Sequence, residues 1–172
     1  ILECNFNSVL DIGTGSGCIA IALAKYTQAS VSALDISLKA LENAKLNADQ
    51  HRLNIEFIYK DIFKLELKNK FDLIVSNPPY VTYSEKNLMS ANILDHEPHN
   101  ALFVPDNDPL CFYNRIADIA SNSLHNGGML FLEINEKYGQ DIIALLLDNG
   151  FVDIELKKDI NDRNRMIKAI WK

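Results

Sequence analysis

Short apolar segments alternate with segments of helical period along the chain, and this alternation constrains the fold most. Ser37 is predicted to cap the second helix at its N-terminus. Strands are predicted at residues 8–12, 31–34, 55–59, 71–76, 129–134, 151–156 and 166–171, and helices at residues 18–26, 38–49, 110–124 and 138–149. Such alternation predicts an α/β fold with a Rossmann-like, doubly wound and mostly parallel sheet that carries helices on both faces.

The composition is that of one folded domain. The chain has 172 residues, of which 48% are apolar and 23% charged, and this is enough to build a sizeable core. We therefore expect residues 1–172 to form a single domain. The chain opens at Ile1 without an initiator methionine and soon enters a strand, so we expect it to be an excerpt of a longer protein.

Charge and cysteine content disfavour several function classes. A net charge of −6, from 17 basic and 23 acidic residues, disfavours a domain that grips long nucleic acid through its phosphates. Cys4, Cys18 and Cys111 form no C-x-x-C pair, so we expect no disulfide framework and no zinc site, and a reducing, cytoplasmic compartment fits best. The apolar runs are too short to span a bilayer, and no membrane contact is expected.

A glycine-rich loop follows the first predicted strand and opens the first helix. Its spacing is G-x-G-x-G, which differs from the G-x-G-x-x-G of dinucleotide sites, although glycines here still allow a ligand to approach the backbone closely. Asp35, at the end of the second strand, can accept both hydroxyls of a ribose. Asp61 or the neighbouring backbone at Ile62 can meet an adenine amino group. The candidate binding residues in the loop are Asp11, Gly13, Thr14, Gly15, Ser16 and Gly17. Together these strand ends predict a pocket for an adenosine-containing ligand.

Asn77-Pro78-Pro79-Tyr80 follows the fourth strand and is the most specific motif in the chain. The two prolines fix the backbone and remove N–H donors, which leaves carbonyl acceptors. The Asn77 side-chain oxygen and the Pro78 carbonyl can together accept both hydrogens of a planar –NH₂ group, and Tyr80 can stack on its flat face. Such a site aims an amino nitrogen at an electrophile held by the glycine loop.

The DIGTGSG loop, Asp35 and SNPPY together resemble class I S-adenosylmethionine-dependent methyltransferases that act on planar amino nitrogens. HEPHNAL (residues 96–102), FLEI (residues 131–134) with Gln140, and KDINDRNRMIKA near the end extend the likeness. With these segments the whole chain resembles the protein-(glutamine-N5) methyltransferases of the release-factor type, the HemK family.

The resemblance implies the class I methyltransferase fold with an antiparallel C-terminal strand. It implies methylation of the glutamine in the Gly-Gly-Gln motif of class 1 peptide chain release factors, with S-adenosylmethionine converted to S-adenosylhomocysteine. Asn77, Pro78 and Tyr80 are the implied catalytic residues, and Asn77 also contacts the cofactor. Pro79 and Glu97 would complete the substrate site. No metal is implied, and a monomer is expected.

The chain departs from the family pattern in two places. Residues 103–109 replace a stretch that is usually glycine-rich, and the family's N-terminal helical domain is absent. Alternative functions are methylation of a ribosomal-protein glutamine or of adenine or guanine in nucleic acid, with a flipped base on Tyr80. A non-catalytic adenosine-cofactor module and an NAD-linked dehydrogenase are further alternatives, and the dehydrogenase leaves Asn77 to Tyr80 unexplained.

Two weaker features favour ordinary structural roles. His96 and His99 lie beside acidic residues, but a proline between them and the lack of a third ligand disfavour a metal site. A small basic cluster near the last strands is expected to be a solvated hairpin; its members are Lys157, Lys158, Arg163 and Arg165.

Overall fold

A computed structural model describes residues 1–88 and 102–172 of the chain. The strands are β1 (Ser8–Ile12), β2 (Ser30–Asp35), β3 (Glu56–Tyr59), β4 (Phe71–Ser76), β5 (Val81–Thr82), β6 (Phe103–Val104), β7 (Leu124–Glu133), β8 (Phe151–Lys158) and β9 (Asn164–Trp171). The α-helices are α1 (Cys18–Tyr26), α2 (Leu38–Gln50), α3 (Cys111–Ser123) and α4 (Gly139–Asp148), and 3₁₀ helices span Ile62–Lys64, Tyr83–Leu88 and Glu136–Tyr138.

Seven of the strands form one sheet in the order β3-β2-β1-β4-β7-β9-β8. The strands β1, β2, β3, β4 and β7 are parallel, while β9 is antiparallel to both of its neighbours. The expected α/β fold, with a mostly parallel sheet and an antiparallel C-terminal strand, is confirmed. Because the chain leaves β1 toward one edge of the sheet and later continues from β4 toward the other, the two central strands form a topological switch point.

Helices cover both faces of this sheet, as the alternation of strands and helices predicts. On one face, α1 and α2 bury Ala20, Leu23 and Ala48 against alternate strand residues such as Val9. On the other face, α3 and α4 pack against the strand positions between them, such as Leu10. Each central strand is therefore buried on two sides, which explains why most of its residues are apolar.

The predicted helix boundaries agree with the structure to within one or two residues. The Ser37 side chain accepts a hydrogen bond from the Ala40 backbone N–H at 3.2 Å, so its N-cap role is confirmed. Gly150 lies two residues after the end of α4, with a φ of 91°, a left-handed conformation that suits glycine. No helix in residues 1–88 or 102–172 is long and apolar enough to cross a membrane.

The strand predicted at residues 129–134 was placed too late. It begins at Leu124, directly after α3, and includes both Gly127 and Gly128. The pairing of β4 with β7 shifts register between Phe71 and Leu73, which marks a bulge, and Gly127 has a φ of 79° there. A glycine pair that suggests a break therefore lets the strand continue through an irregular stretch.

No strand or helix is predicted between residues 81 and 109, yet this segment contains regular structure at both of its described ends. β5 and β6 pair in parallel to form a two-stranded sheet, and the 3₁₀ helix Tyr83–Leu88 follows β5. The Tyr83 and Phe103 rings stack with centroids 5.6 Å apart. This small sheet stands directly after Asn77 to Tyr80 and so adjoins the carboxyl edge of the main sheet.

Candidate functional site

Both sequence motifs lie at the switch point of the sheet. The glycine loop follows β1 and Asn77 follows β4, and these strands are adjacent and parallel, with Ile12 aligned to Ser76. The buried Ser76 hydroxyl donates a hydrogen bond of 2.7 Å to the Ile12 carbonyl and so joins the two strand ends. In open α/β sheets this is the place where ligands bind.

The glycine loop is open on one side and tightly packed on the other. Gly13, Gly15 and Gly17 all have positive φ, at 71°, 57° and 85°. A Cβ added to Gly13 or Gly15 would meet no atom within 4 Å, whereas at Gly17 it would lie 3.0 Å from the Ala44 Cβ. The first two glycines therefore border free space, and the third lets α1 approach α2 closely.

Asp11 holds the glycine loop in place from the buried side of the loop. Its side chain is only 1% exposed, and Oδ2 accepts hydrogen bonds from the Thr14 hydroxyl at 2.7 Å and the Ala20 N–H at 3.2 Å. Burial raises its pKa to about 6, although the two hydrogen bonds act in the opposite direction. The other oxygen, Oδ1, is buried without a hydrogen-bond partner among the described residues. Asp11 thus fixes the loop to the first turn of α1.

Asp35 is held with both carboxylate oxygens at the edge of the crevice. Oδ2 accepts the Gly15 N–H at 2.8 Å, and Oδ1 accepts the Ser37 N–H at 2.8 Å. Each oxygen of a carboxylate has more than one acceptor position, so both remain able to accept a further hydroxyl. The half-buried carboxylate is therefore positioned to accept two adjacent hydroxyl groups.

The third strand end combines a capping carboxylate with exposed apolar side chains. Asp61 Oδ1 accepts the Phe63 N–H at 2.9 Å and caps the 3₁₀ helix, while the Ile62 side chain is 8% exposed and belongs to the core. Phe63, two residues after Asp61, has a side chain that is 49% exposed. At the end of the second strand, Ile36 directly follows Asp35 and is 58% exposed. Sequence reasoning missed both residues. The only signal was an apolar residue beside each predicted carboxylate.

The Asn77 side chain and the Pro78 carbonyl have no hydrogen-bond partner among the described residues. Asn77 is exposed, and its side chain bonds to no residue that the structure describes. Pro78 is buried, and its carbonyl accepts no hydrogen bond within residues 1–88 and 102–172. Because neither proline has an N–H, this turn presents acceptors without competing backbone donors.

Tyr80 is held at both of its ends. Its hydroxyl donates to Glu133 Oε1 at 2.9 Å and lies 3.5 Å from Arg165 Nη1. Its carbonyl accepts the Asn135 side-chain amide at 3.2 Å. Burial and the adjacent Glu133 carboxylate raise the pKa of Tyr80 to about 12, so the phenol stays protonated at physiological pH. Glu133, Asn135 and Arg165 were not predicted as site residues.

Comparison with protein families agrees with this arrangement. The profile described as "Methyltransferase small domain" matches residues 1–103, which include the glycine loop, the three acidic strand ends and Asn77 to Tyr80. The chain belongs to the methyltransferase small domain family.

Individual relatives extend the match of this methyltransferase small domain along the chain. A Flavobacterium psychrophilum protein named "Release factor glutamine methyltransferase" is 51% identical over 94% of this chain and 57% of its own length. A Bacteroides thetaiotaomicron protein with the same name is 48% identical over 94% of this chain and 59% of its own length. The chain thus spans less than two thirds of these curated relatives. Among solved structures, a methyltransferase from Pyrococcus furiosus matches with a TM-score of 0.74 at 19% identity, over 99% of this chain and 77% of that one.

The weaker sequence features have separate outcomes in this methyltransferase small domain. Glu97, His96 and His99 lie outside the described residues. The part of the chain that the structure describes contains no group of three or more residues able to hold a metal ion. Three members of the basic cluster on the β8–β9 hairpin are exposed and paired with acidic residues, as a solvated hairpin predicts: Lys157 with Glu155, Lys158 with Asp162 and Arg163 with Glu136. For Arg165 the prediction is wrong, because its side chain is only 24% exposed and binds both Asp159 and the Ile134 carbonyl.

Proposed function

We propose that the chain is the catalytic domain of an enzyme that methylates the glutamine side-chain amide in the Gly-Gly-Gln motif of class 1 release factors. The observation that carries this proposal is the pair of free acceptors on Asn77 and Pro78, which stand beside the open glycine loop at the switch point. The names of the relatives, at about half identity over nearly the whole chain, support the same substrate.

The crevice fits S-adenosylmethionine. Open space above Gly13 and Gly15 allows a ligand to contact the backbone, and Asp35 can accept the two ribose hydroxyls. The exposed side chains of Ile36 and Phe63 suit the two faces or the edge of an adenine ring. Asp61 and the backbone of Ile62 remain our proposed contacts for the adenine amino group. The remaining proposed binding residues are Asp11, Thr14, Ser16, Gly17 and Asn77.

The site would act on the substrate amide by holding it in a fixed orientation. An amide nitrogen is a poor nucleophile because its lone pair is delocalised into the carbonyl. If the Asn77 oxygen and the Pro78 carbonyl accept both N–H hydrogens, the nitrogen is held toward the glycine loop, and the Tyr80 ring covers the flat face of the amide. Positioning of this kind can lower a barrier by about 7–11 kcal/mol.

The bound cofactor supplies a methyl group on a positively charged sulfur, and its product is S-adenosylhomocysteine. The nitrogen becomes cationic as the methyl group arrives and then loses a proton, so the site needs no base of its own before transfer. Pro79 stiffens the turn between the acceptors and Tyr80. Glu97 remains a proposed wall of the substrate site.

We further propose that residues 1–172 act as a monomeric domain in the cytoplasm on a protein rather than on nucleic acid. Cys4, Cys18 and Cys111 are all free thiols, which suits a reducing compartment. The net charge of −6 and the ion pairing of the hairpin lysines and arginines leave little positive surface for phosphates.

The test uses the full-length protein, co-expressed with a class 1 release factor, and measures the mass of the Gly-Gly-Gln peptide. We expect one added methyl group on the glutamine. Asn77→Ala should abolish it while cofactor binding, measured by calorimetry, stays largely intact, because the other proposed cofactor contacts remain. Asn54→Ala is the matched control, because this exposed asparagine precedes β3 at the opposite edge of the sheet.

Each other outcome has a distinct meaning. Full methylation by Asn77→Ala would remove the amide-binding role of that residue. An unmodified peptide, with cofactor binding intact, would overturn the release-factor substrate and direct the assay to ribosomal proteins and nucleic acid. Loss of methylation in Asn54→Ala as well would show that the two variants act through folding.

A further inference from the structure

A connected group of polar side chains lies behind Tyr80, and none of them belongs to the binding residues proposed above. Glu133 is the last residue of β7, Asn135 follows two positions later, and Arg165 belongs to β9. We propose that Glu133 and Arg165 are positioning residues for methyl transfer that act through the Tyr80 hydroxyl. This inference rests on the proposed function and adds to it the residues that set the orientation of the acceptor turn.

The hydroxyl of Tyr80 sits between two opposite charges. The hydroxyl donates a hydrogen bond of 2.9 Å to Glu133 Oε1 and accepts one of 3.5 Å from Arg165 Nη1. The guanidinium is itself oriented, because Nη1 donates to the Ile134 carbonyl at 3.1 Å and Nε donates to Asp159 Oδ2 at 3.3 Å. A hydrogen bond to a carboxylate is stronger than one between neutral groups, so the far end of the ring is firmly held.

The segment that carries Glu133 is anchored from the opposite side. The hydroxyl of Tyr113, a fully buried residue of α3, accepts the Asn135 N–H at 3.3 Å and donates to the Glu133 carbonyl at 3.4 Å. The Asn135 side chain in turn donates to the Tyr80 carbonyl at 3.2 Å. The Glu133 carboxylate therefore projects from a backbone that is fixed to the core, so it can hold the Tyr80 hydroxyl at one position.

The strand register connects this group to the reacting end of the site. Ser76 is aligned with Leu132 across β4 and β7, so the next residues, Asn77 and Glu133, lie at neighbouring positions at the carboxyl ends of the two strands. Two prolines with fixed φ separate Asn77 from Tyr80, so the backbone between the tyrosine and the acceptors has fewer free torsions than an ordinary turn. The orientation of Tyr80 thus controls where the Asn77 and Pro78 acceptors point.

The protonation state of Tyr80 is consistent with this role. A phenol beside a carboxylate serves as a donor only while it keeps its proton, and burial together with Glu133 raises its pKa to about 12. Tyr80 therefore keeps the proton that it donates to Glu133 at neutral pH.

The test is a double-variant cycle in the full-length protein, with steady-state kinetics on a release factor. We expect Glu133→Ala to lower kcat on the order of tenfold to a hundredfold, as a misplaced reacting group does, with an unchanged cofactor Kd. Tyr80→Phe removes the hydroxyl, and we expect adding Glu133→Ala to it to cause no further loss. Glu133→Gln keeps an acceptor oxygen and should restore most of kcat.

A matched control and a second pair of variants keep the test decisive. Glu155→Ala removes a carboxylate on β8 that pairs only with Lys157 and Lys168 among the described residues, and kcat should stay unchanged. If Glu133→Ala does not fold, Arg165→Lys takes its place in the cycle, because lysine keeps the charge but cannot bind Asp159, Ile134 and Tyr80 together.

Three results would overturn the proposal. The losses from Glu133→Ala and Tyr80→Phe would multiply in the double variant if Glu133 acted independently of the hydroxyl. An unchanged kcat in Glu133→Ala would show that Tyr80 needs no such support. An unmethylated glutamine with the unaltered protein would overturn the proposed function, and this inference with it. This measurement is therefore made before any variant is tested.

Discussion

Substitution of alanine for glycine should lower the stability of the fold by different amounts at the two ends of the glycine loop. At Gly13 an added Cβ meets nothing within 4 Å, so Gly13→Ala costs only the left-handed backbone conformation, about 1–2 kcal/mol. At Gly17 the new Cβ would lie 3.0 Å from the Ala44 Cβ and 3.2 Å from the Ile21 Cδ1. Overpacking adds about 1–3 kcal/mol there, so we expect Gly17→Ala to cost about 2–5 kcal/mol in total.

Cofactor binding should follow the reverse order. The Cβ in Gly13→Ala occupies the space that the proposed ligand needs, so we expect its Kd to rise at least about tenfold, or about 1.4 kcal/mol. Gly17→Ala adds its Cβ on the packed side, so molecules that remain folded should bind with a smaller change. Urea unfolding gives the stability of each variant, and calorimetric titration with S-adenosylmethionine gives the affinity.

Gly127→Ala is the matched control for the backbone cost. Gly127 has a φ of 79° and no atom within 4 Å of its added Cβ, as at Gly13, but it lies at the start of β7, away from the crevice. It should lose as much stability as Gly13→Ala and bind the cofactor normally. Wild-type affinity in Gly13→Ala, or greater stability in Gly17→Ala than in Gly13→Ala, would refute the assignment of the two faces of the loop.

Two further variants test the groups that shape the crevice. Burial raises the pKa of Asp11 from 3.8 to about 6, so the folded protein keeps a proton that the unfolded chain loses. Wild-type stability should therefore fall by about 2 kcal/mol, relative to Asp11→Asn, as the pH rises from 4 to 6; parallel pH–stability curves would contradict this. Arg115 donates from Nε to the Ile62 carbonyl at 3.0 Å and from Nη2 to the Leu65 carbonyl at 2.6 Å. Lysine cannot bind both carbonyls in the same planar geometry, so Arg115→Lys should weaken cofactor binding by about tenfold in a titration.

The strands and the motifs could be predicted because local sequence determines them. The strand Phe71–Ser76 has the predicted bounds, since a buried parallel strand is mostly apolar and the following Asn-Pro-Pro cannot continue the ladder. The start of β7 could not be predicted in this way. Its bulge depends on pairing with Phe71 and Leu73, and the pair of glycines alone favours a break.

The support of Tyr80 could not be predicted from the sequence for a different reason. Glu133 and Arg165 lie 53 and 85 positions away from it along the chain, and only the order of β4, β7 and β9 brings them together. Exposure of Ile36 and Phe63 is likewise a property of the folded surface, because an isolated apolar residue at a strand end is more often buried. The sequence indicates which side chains carry chemistry, whereas the sheet order determines which others hold them.

The hydrogen bond between Ser76 and Ile12 joins strand ends that are 64 positions apart, and it has a consequence for synthesis of the chain. A nascent polypeptide that ends before Phe71 contains the glycine loop and all three acidic strand ends, but it lacks the second wall of the crevice. A growing chain of this kind has nothing to oppose the open side of the loop. The crevice therefore has both of its walls only after β4 has left the ribosome and paired with β1, and Tyr80 gains its partners from β7 and β9 later still.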